Sequence, residues 1–230
     1  MMKFFVFGRN KPDWTTEDYH RTLLFDHAEL VKGCDGFVRH CAGYVQNHVQ
    51  SLHAVGFGDG PVPFPDFRNC SEFWFEDQSA LANAYDNDDY MRMLRPDEQR
   101  FGNAAERVAY GGRGEAVRQR VSIATGGAKL MVLHDAPNDE AGIPADATRN
   151  ALRHSAHRLT QAMDFVRLVF VEDRPLPFRR CDEYWYADAA TLLEAMSAMQ
   201  RDGGPATPMI MAHVVEHWVL PPDEYRRRPV

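Results

Sequence analysis

The octapeptide CSEFWFED, Cys70–Asp77, returns as CDEYWYAD at Cys181–Asp188, with Cys, Glu, Trp and Asp in register and two Phe exchanged for Tyr. Cys and Trp are scarce here, four of each, so a match that contains both marks duplication. The flanks agree. Each copy is an alternating aromatic run followed by a helical stretch, with Leu81 and Ala84 answered by Leu192 and Ala195. Two related units of about 110 residues are too long for solenoid repeats and suit small domains.

The element pattern can be read within each unit. Lys3 to Arg9, rich in Phe and Val and ended by Asn-Lys-Pro, predicts a strand. Thr15 caps a following helix, with Glu17 and Asp18 in its first turn and Tyr19, Leu23, His27 and Leu30 along one face. Strands over Phe37–Val49, Asn69–Glu76 and Glu106–Tyr110 and a helix over Asp77–Tyr85 complete a βαββαβ order. In the second unit the corresponding expectations are a strand over Lys129–His134, a helix from Asp146 to Gln161, strands over Asp164–Glu172 and Arg180–Tyr186, a helix over Asp188–Gln200 and a strand over Met209–Val219.

A βαββαβ unit is a ferredoxin-like layer whose bare sheet face needs a cover, and a second copy supplies one. The expected fold is therefore α+β: two ferredoxin-like units forming an intrachain barrel of the dimeric α+β type. The boundaries follow as 1–111 for the first unit, which carries the active half, 112–127 for a linker around the Gly-rich run 111–114, 128–222 for the diverged second unit and 223–230 for a tail. Gln50 to Arg68, dense in Gly and Pro with Phe57, Phe64 and Phe67, inserts about 20 residues that the second unit lacks, a length typical of lids.

Composition removes several function classes. At 44% hydrophobic and 26% charged the chain is an ordinary globular one, and its net charge of −7, with a single basic run at Arg226–Arg228, disfavours nucleic acid. No segment approaches the roughly 20 apolar residues of a membrane span, and the apolar run near the N-terminus is too short for a signal peptide, so a cytoplasmic address is expected. Cys34, Cys41, Cys70 and Cys181 form neither a CxxC pair nor finger spacing, so they read as reduced, buried packing residues. Gly-Phe-Gly-Asp-Gly at 56–60 lies in a Pro-rich loop rather than between strand and helix, which disfavours nucleotide cofactors; no cofactor and no metal are expected. His213 and His217 share a strand face without a carboxylate cluster beside them.

The chemistry-bearing residues lie in the first unit. His27 belongs to the inward stripe of its helix, and alternation along VRHCAGYVQNHV puts His40, Tyr44, Gln46 and His48 on one strand face, a polar row that suggests a wet or ligand-filled hollow. Imidazole titrates near neutrality and a phenol can donate to an oxygen that gains charge, so His27, His48 and Tyr44 form an acid/base set. Glu72 can orient a histidine or act as a second base; its counterpart Glu183 offers a structural role equally. Trp74, beside Glu72, is a candidate wall for a substrate ring.

These segments resemble the EthD family of the dimeric α+β barrel superfamily. The resemblance rests on EDYHRTLLFDHAELV (Glu17–Val31), GYVQNHV (Gly43–Val49), the EFWFED strand with its helix, and LRPDEQRF (Leu94–Phe101). Leu23 and Glu29 stand where the family often has Trp and Pro, and the second unit has no copy of YVQNHV. The resemblance implies a barrel within one chain, a pocket for a small and fairly apolar molecule, and cofactor-free lyase, isomerase or cyclase chemistry on aromatic, lactone or polyketide-like compounds. His27, Tyr44, Asn47 and His48 match its motifs. The expected activity is cofactor-independent decarboxylation, dehydration or isomerisation, with His27, His48, Tyr44 and Glu72 catalytic and His40, Gln46, Asn47 and Trp74 binding substrate. Haem-binding, cofactor-free monooxygenase and non-catalytic binding modules are the alternatives, and exposed sheet edges allow a homo-oligomer.

Overall fold

The computed structural model describes residues 1–57, 66–119, 128–134, 148–161, 178–201 and 208–221. Eight strands carry it: β1 (Met2–Gly8), β2 (Cys41–Val55), β3 (Asn69–Phe75), β4 (Val108–Gln119), β5 (Ala128–His134), β6 (Arg153–Gln161), β7 (Arg180–Tyr186) and β8 (Met209–Leu220). They close into a barrel in the order β1-β3-β2-β8-β5-β7-β6-β4, with antiparallel pairing. The strand order of one half, β4-β1-β3-β2, recurs in the other as β8-β5-β7-β6. Register recurs as well: Lys3 faces Trp74 as Lys129 faces Trp185, and Gly8 faces Asn69 as His134 faces Arg180.

Outside the first half of the barrel runs a continuous helical rod of α1 (Thr16–Thr22), a π turn (Leu23–His27) and α2 (Ala28–Lys32). It is followed by α3 (Asp35–Val38), α4 (Gln78–Tyr85), a second π turn (Tyr90–Leu94) and α5 (Arg95–Phe101); α6 (Ala189–Arg201) covers the second half. The predicted cap holds, because the Thr15 side chain accepts from Asp18 N. Among the described residues no helix is long and apolar enough to cross a membrane.

All four repeated residues have a structural task. The Asp caps a helix in both copies: Asp77 accepts from Ala80 N and Asp188 from Thr191 N. Cys70, Glu72 and Trp74 and their partners Cys181, Glu183 and Trp185 alternate onto the inner barrel face. The two thiols are fully buried in a core of Phe5, Phe7, Val49, Met131, Leu133 and Val214, and burial pushes both well above the ordinary cysteine value.

Across one end of that core lies a buried ion cage. Lys3 Nζ is 2.6 Å from Glu72 Oε2 and 2.5 Å from Glu183 Oε2. Lys129 Nζ is 2.5 Å from both Glu72 Oε1 and Glu183 Oε1, and 3.0 Å from Glu216 Oε1 and Asn47 Oδ1. His157 Nε2 adds a 2.6 Å contact to Glu183 Oε2. The tryptophans cover it, with Lys3 5.0 Å below the Trp74 ring and Lys129 4.9 Å below Trp185. Burial alone would raise both carboxyls. Lys129 and Lys3 overcome it at Glu183, which stays well below its ordinary value, whereas burial together with the neighbouring Glu183 charge leaves Glu72 raised.

Four expectations need correction. Arg153–Gln161 is a strand, not the end of a helix, because its inward residues Ser155 and His157 are polar and meet the cage, which disguises the period-two pattern. The glycine run 111–114 is no joint: β4 passes through it, and a Cβ on Gly112 would lie 2.7 Å from the Phe5 ring, so glycine makes room for that aromatic. Phe37 lies in α3 under the helices rather than opening β2, which starts at Cys41 and runs on to Val55 against β8. The supposed lid is therefore partly strand. Phe67 is buried against Phe7, at 4.9 Å between rings, while residues 58–65, like the strand expected at 164–172, lie outside the described residues.

Replacing Lys129 by Met should leave two buried carboxylates, Glu72 and Glu183, sharing Lys3 alone and cost about 3–5 kcal/mol of unfolding free energy. Urea denaturation at pH 7 reads it as a lower midpoint with an unchanged slope.

Candidate functional site

The helical rod seats Tyr19, Leu23 and His27 against the outer face of β1, β3 and β2. Fourth residues drift by about 40° round a regular α-helix; the wider π turn over Leu23–His27 absorbs part of that drift and keeps the three in line. The second π turn sets α5 so that Asp97, Glu98 and Phe101 approach from the other side. Between rod and sheet lies a cavity of about 40 Å³ lined by Leu23, His27, Tyr44, Phe73, Phe101 and Arg107 among others, room for about three waters. Gly8 and Tyr19 form part of its wall: a Cβ on Gly8 would stand 2.9 Å from the Tyr19 hydroxyl.

His27 is 5% exposed, and its Nδ1 lies 3.0 Å from Asp97 Oδ2. The Asp97 carboxylate accepts from Nδ1, so in the neutral ring Nε2 is the lone pair, without a hydrogen-bond partner among the described residues. Phe101 packs edge-on against the ring at 5.4 Å. Burial would raise the Asp97 carboxyl, but hydrogen bonds from His27 and Arg100 outweigh it and hold the group below its ordinary value. Arg107 and Tyr90 both donate to Glu98 Oε2, at 2.9 and 3.1 Å. The ionic groups at the cavity edge are thus paired.

Tyr44, fully buried and stacked on Phe73 at 4.4 Å, is the other polar wall. Its hydroxyl accepts from Gln46 Nε2 at 3.1 Å and lies 3.4 Å from Ser71 Oγ. Burial pushes the phenol well above its usual value, so it is a neutral donor at physiological pH. Gln46 also donates to Leu23 O at 2.7 Å, tying the sheet to the π turn.

His27 and Tyr44 therefore share one cavity, as alternation and helical period suggest. The other expected members do not join them. His48 shares the face of Tyr44 but stops one residue pair farther along, where its Nε2 lies 3.1 Å from Gln46 Oε1 and its ring stacks on His20 at 4.3 Å and tilts against His217 at 4.6 Å. Burial, then the two neighbouring imidazoles, push His48 down to about 2. It is a neutral packing residue beside a surface cleft of about 560 Å³ over His20 and Gln50. His40 precedes β2, half-buried in the turn after α3. Gln46 supports Tyr44 from behind the cavity. Glu72, Asn47 and Trp74 lie on the opposite sheet face, inside the barrel, because each is one residue out of phase with the Tyr44 row; there Asn47 bonds Glu72 at 2.7 Å and Trp74 stacks on Trp218 at 5.4 Å. Among the described residues no three His, Cys, Asp or Glu side chains converge as a metal site, His213 and His217 included.

Asp97, Glu98, Arg107, Tyr19 and Ser71 escape a sequence reading of the site. The signal for the first two is LRPDEQRF, whose acidic pair has no helical face of its own to explain it.

At the equivalent place in the second half a different set of side chains meets. Register aligns Gly8, Asn69, Ser71 and Tyr44 with His134, Arg180, Asp182 and His154. His134 and His154 each lie 2.6 Å from an Asp182 oxygen, and Arg180 Nε donates to it at 2.6 Å. Burial opposes ionisation of Asp182, yet these bonds hold it far below its ordinary value.

Comparison with known proteins places the cavity in a family context. Residues 11–104 match the model of the EthD domain. This segment is similar to an EthD domain. It holds the rod, Tyr44, Ser71 and the His27–Asp97 pair, while Arg107 and the rest of the barrel lie beyond it. No curated protein matches the chain. Among solved structures, an anthrone oxidase-like protein superposes with a TM-score of 0.52 at 11% identity, covering 95% of this chain and 92% of its own. A protein from Lactobacillus acidophilus NCFM described as a monooxygenase superposes with a TM-score of 0.50 at 9% identity, over 94% and 95%. At such identities the likeness is one of fold: a mixed α+β barrel contained in one chain.

Two outcomes test the electrostatics. In Asp97→Ala the His27 proton should move from Nδ1 to Nε2, read from imidazole 15N shifts. Asp182, lowered by folding, contributes stability above the ordinary carboxyl pKa of about 4 and loses it as pH falls below that. Asp182→Asn should therefore be less stable than the native chain at pH 7, with the gap narrowing on acidification from about pH 5 to pH 2 in urea titrations.

Proposed function

We propose that the chain is a cofactor-independent lyase or isomerase built from two duplicated ferredoxin-like units, acting by proton transfer on a small aromatic, lactone or polyketide-like molecule in the cytoplasm. The observation that carries the reading is the pairing, in one cavity, of an imidazole lone pair oriented by a carboxylate and a neutral phenol. His27 Nε2 takes a proton from a carbon beside the substrate carbonyl, and Asp97 stabilises the imidazolium that forms. Tyr44 donates to the carbonyl oxygen as it becomes an enolate. Return of the proton to another carbon is isomerisation; its delivery to a departing β-hydroxyl releases water. At about 40 Å³ the ligand-free cavity admits water only, so a ring-sized substrate has to widen it while the Gln46–Leu23 tie is kept.

A cofactor-free monooxygenase would share the first step and differ afterwards, since the carbanion would react with O₂. That reading draws support from the aromatic part of the lining, Phe73, Tyr85 and Phe101, around the base.

The test is deuterium exchange at the α-carbon of 1-tetralone in D₂O, followed by proton NMR. His27→Ala should fold and exchange at least about 100-fold more slowly than the native chain. Equal rates would remove His27 from the mechanism. Oxygen uptake with anthrone, abolished in the same variant, would move the assignment to the monooxygenase.

A further inference from the structure

We propose that Gln46 is a positioning residue that turns the Tyr44 hydroxyl into a fixed hydrogen-bond donor, so that the cavity selects neutral ligands presenting an acceptor oxygen: a ketone or a lactone carbonyl. The inference deepens the proton-transfer reading and, for its catalytic consequence, rests on it.

The direction of each hydrogen bond around Tyr44 follows from groups that have only one option. A backbone carbonyl can only accept. Leu23 O lies 2.7 Å from the Gln46 side chain, so the amide must present Nε2 there, and Oε1 turns to His48 Nε2 at 3.1 Å. The second Nε2 hydrogen then points at the Tyr44 oxygen, 3.1 Å away, and occupies one of its lone pairs. Gln46 is fully buried, so water offers no alternative arrangement.

Ser71 is constrained from the other side. Asn69 fits its surroundings when its amide nitrogen donates to Asn47 O at 3.0 Å and its oxygen accepts from Ser71 N at 3.3 Å and Oγ at 3.0 Å. The serine proton is committed to Asn69, which leaves a serine lone pair toward Tyr44. The tyrosine proton therefore rests on Ser71 Oγ across 3.4 Å, at the long limit of a hydrogen bond. A carbonyl oxygen in the cavity that gains negative charge is a stronger acceptor and would take it over. Reversing Gln46 would reverse Tyr44 and offer the ligand a lone pair instead.

Two measurements decide it. In the ligand-free, 15N-labelled full chain both Gln46 side-chain amide protons should exchange slowly with solvent, and Tyr44→Phe should move one of them upfield and leave its partner in place. Two unaltered protons in that variant would overturn the assignment, whatever the protein's activity. In the 1-tetralone exchange assay, Gln46→Glu supplies an oxygen that accepts the tyrosine proton. It should lower kcat about 100-fold with KM within about twofold, as should Tyr44→Phe. The double variant should be no slower than either single one; multiplied losses would mean that Gln46 acts independently of Tyr44 and would also overturn it. Absence of exchange by the native chain would defeat the proton-transfer reading, and the amide spectrum alone would then judge Gln46.

Discussion

The pairing of two lysines with two glutamates inside the barrel governs what the rest of the molecule can be. Each ion would be prohibitively costly to bury alone. Lys3 and Lys129 each bridge both carboxylates, and Asn47, His157 and Glu216 take up further valences. The cage contains one lysine and one glutamate from each half, so it forms only when the halves face one another. A half on its own would keep one ion pair, Lys3–Glu72 or Lys129–Glu183, and lose the cross-contacts that bridge them. The interior of the barrel is thus filled by the device that closes it.

With the interior filled, chemistry is displaced to the outer layer, between sheet and helices. There the two halves diverge by a few substitutions at matched positions. Glycine at position 8 leaves space for the Tyr19 hydroxyl, whereas the matching position holds His134, which pairs with Asp182. Ser71 is small and neutral where Asp182 is charged and saturated by two imidazoles and a guanidinium. One half keeps a hollow lined by polar groups; at the matched positions of the other, His134, His154 and Arg180 converge on Asp182.

The fold was largely legible because its signals are local. Strand alternation, the Thr15 cap and the repeated octapeptide each depend on neighbours in sequence, and the octapeptide's Cys, Glu, Trp and Asp all proved structural. The helix expected over 146–161 failed for the opposite reason, since His157 is inward only because a cage made by distant strands receives it. The site was half legible. Period two correctly grouped Tyr44 with Gln46 and His48, and the helical stripe correctly turned His27 inward. Applied strictly, the same alternation would have assigned Asn47 to the barrel side. The face of Glu72 is fixed only by β-pairing to β2, and Asp97 meets His27 from a separate helix; neither relation has a sequence period to reveal it.

The cavity's charge balance bears on what it can bind. Asp97 is matched by Arg100 and Glu98 by Arg107, so neither side chain leaves an uncompensated ion facing the hollow. What remains directed inward is a neutral lone pair on His27 and, through Gln46, a proton on Tyr44. A fully charged ligand would lose hydration and gain no counter-ion there. A neutral molecule with a weakly acidic C–H and a carbonyl oxygen meets both groups at once, and charge arises only as the proton moves, between two partners already oriented to receive it. Preorganised dipoles of this kind favour the charge-separated state over the ground state, which is why a site so poor in free charge suits proton transfer better than capture of ions.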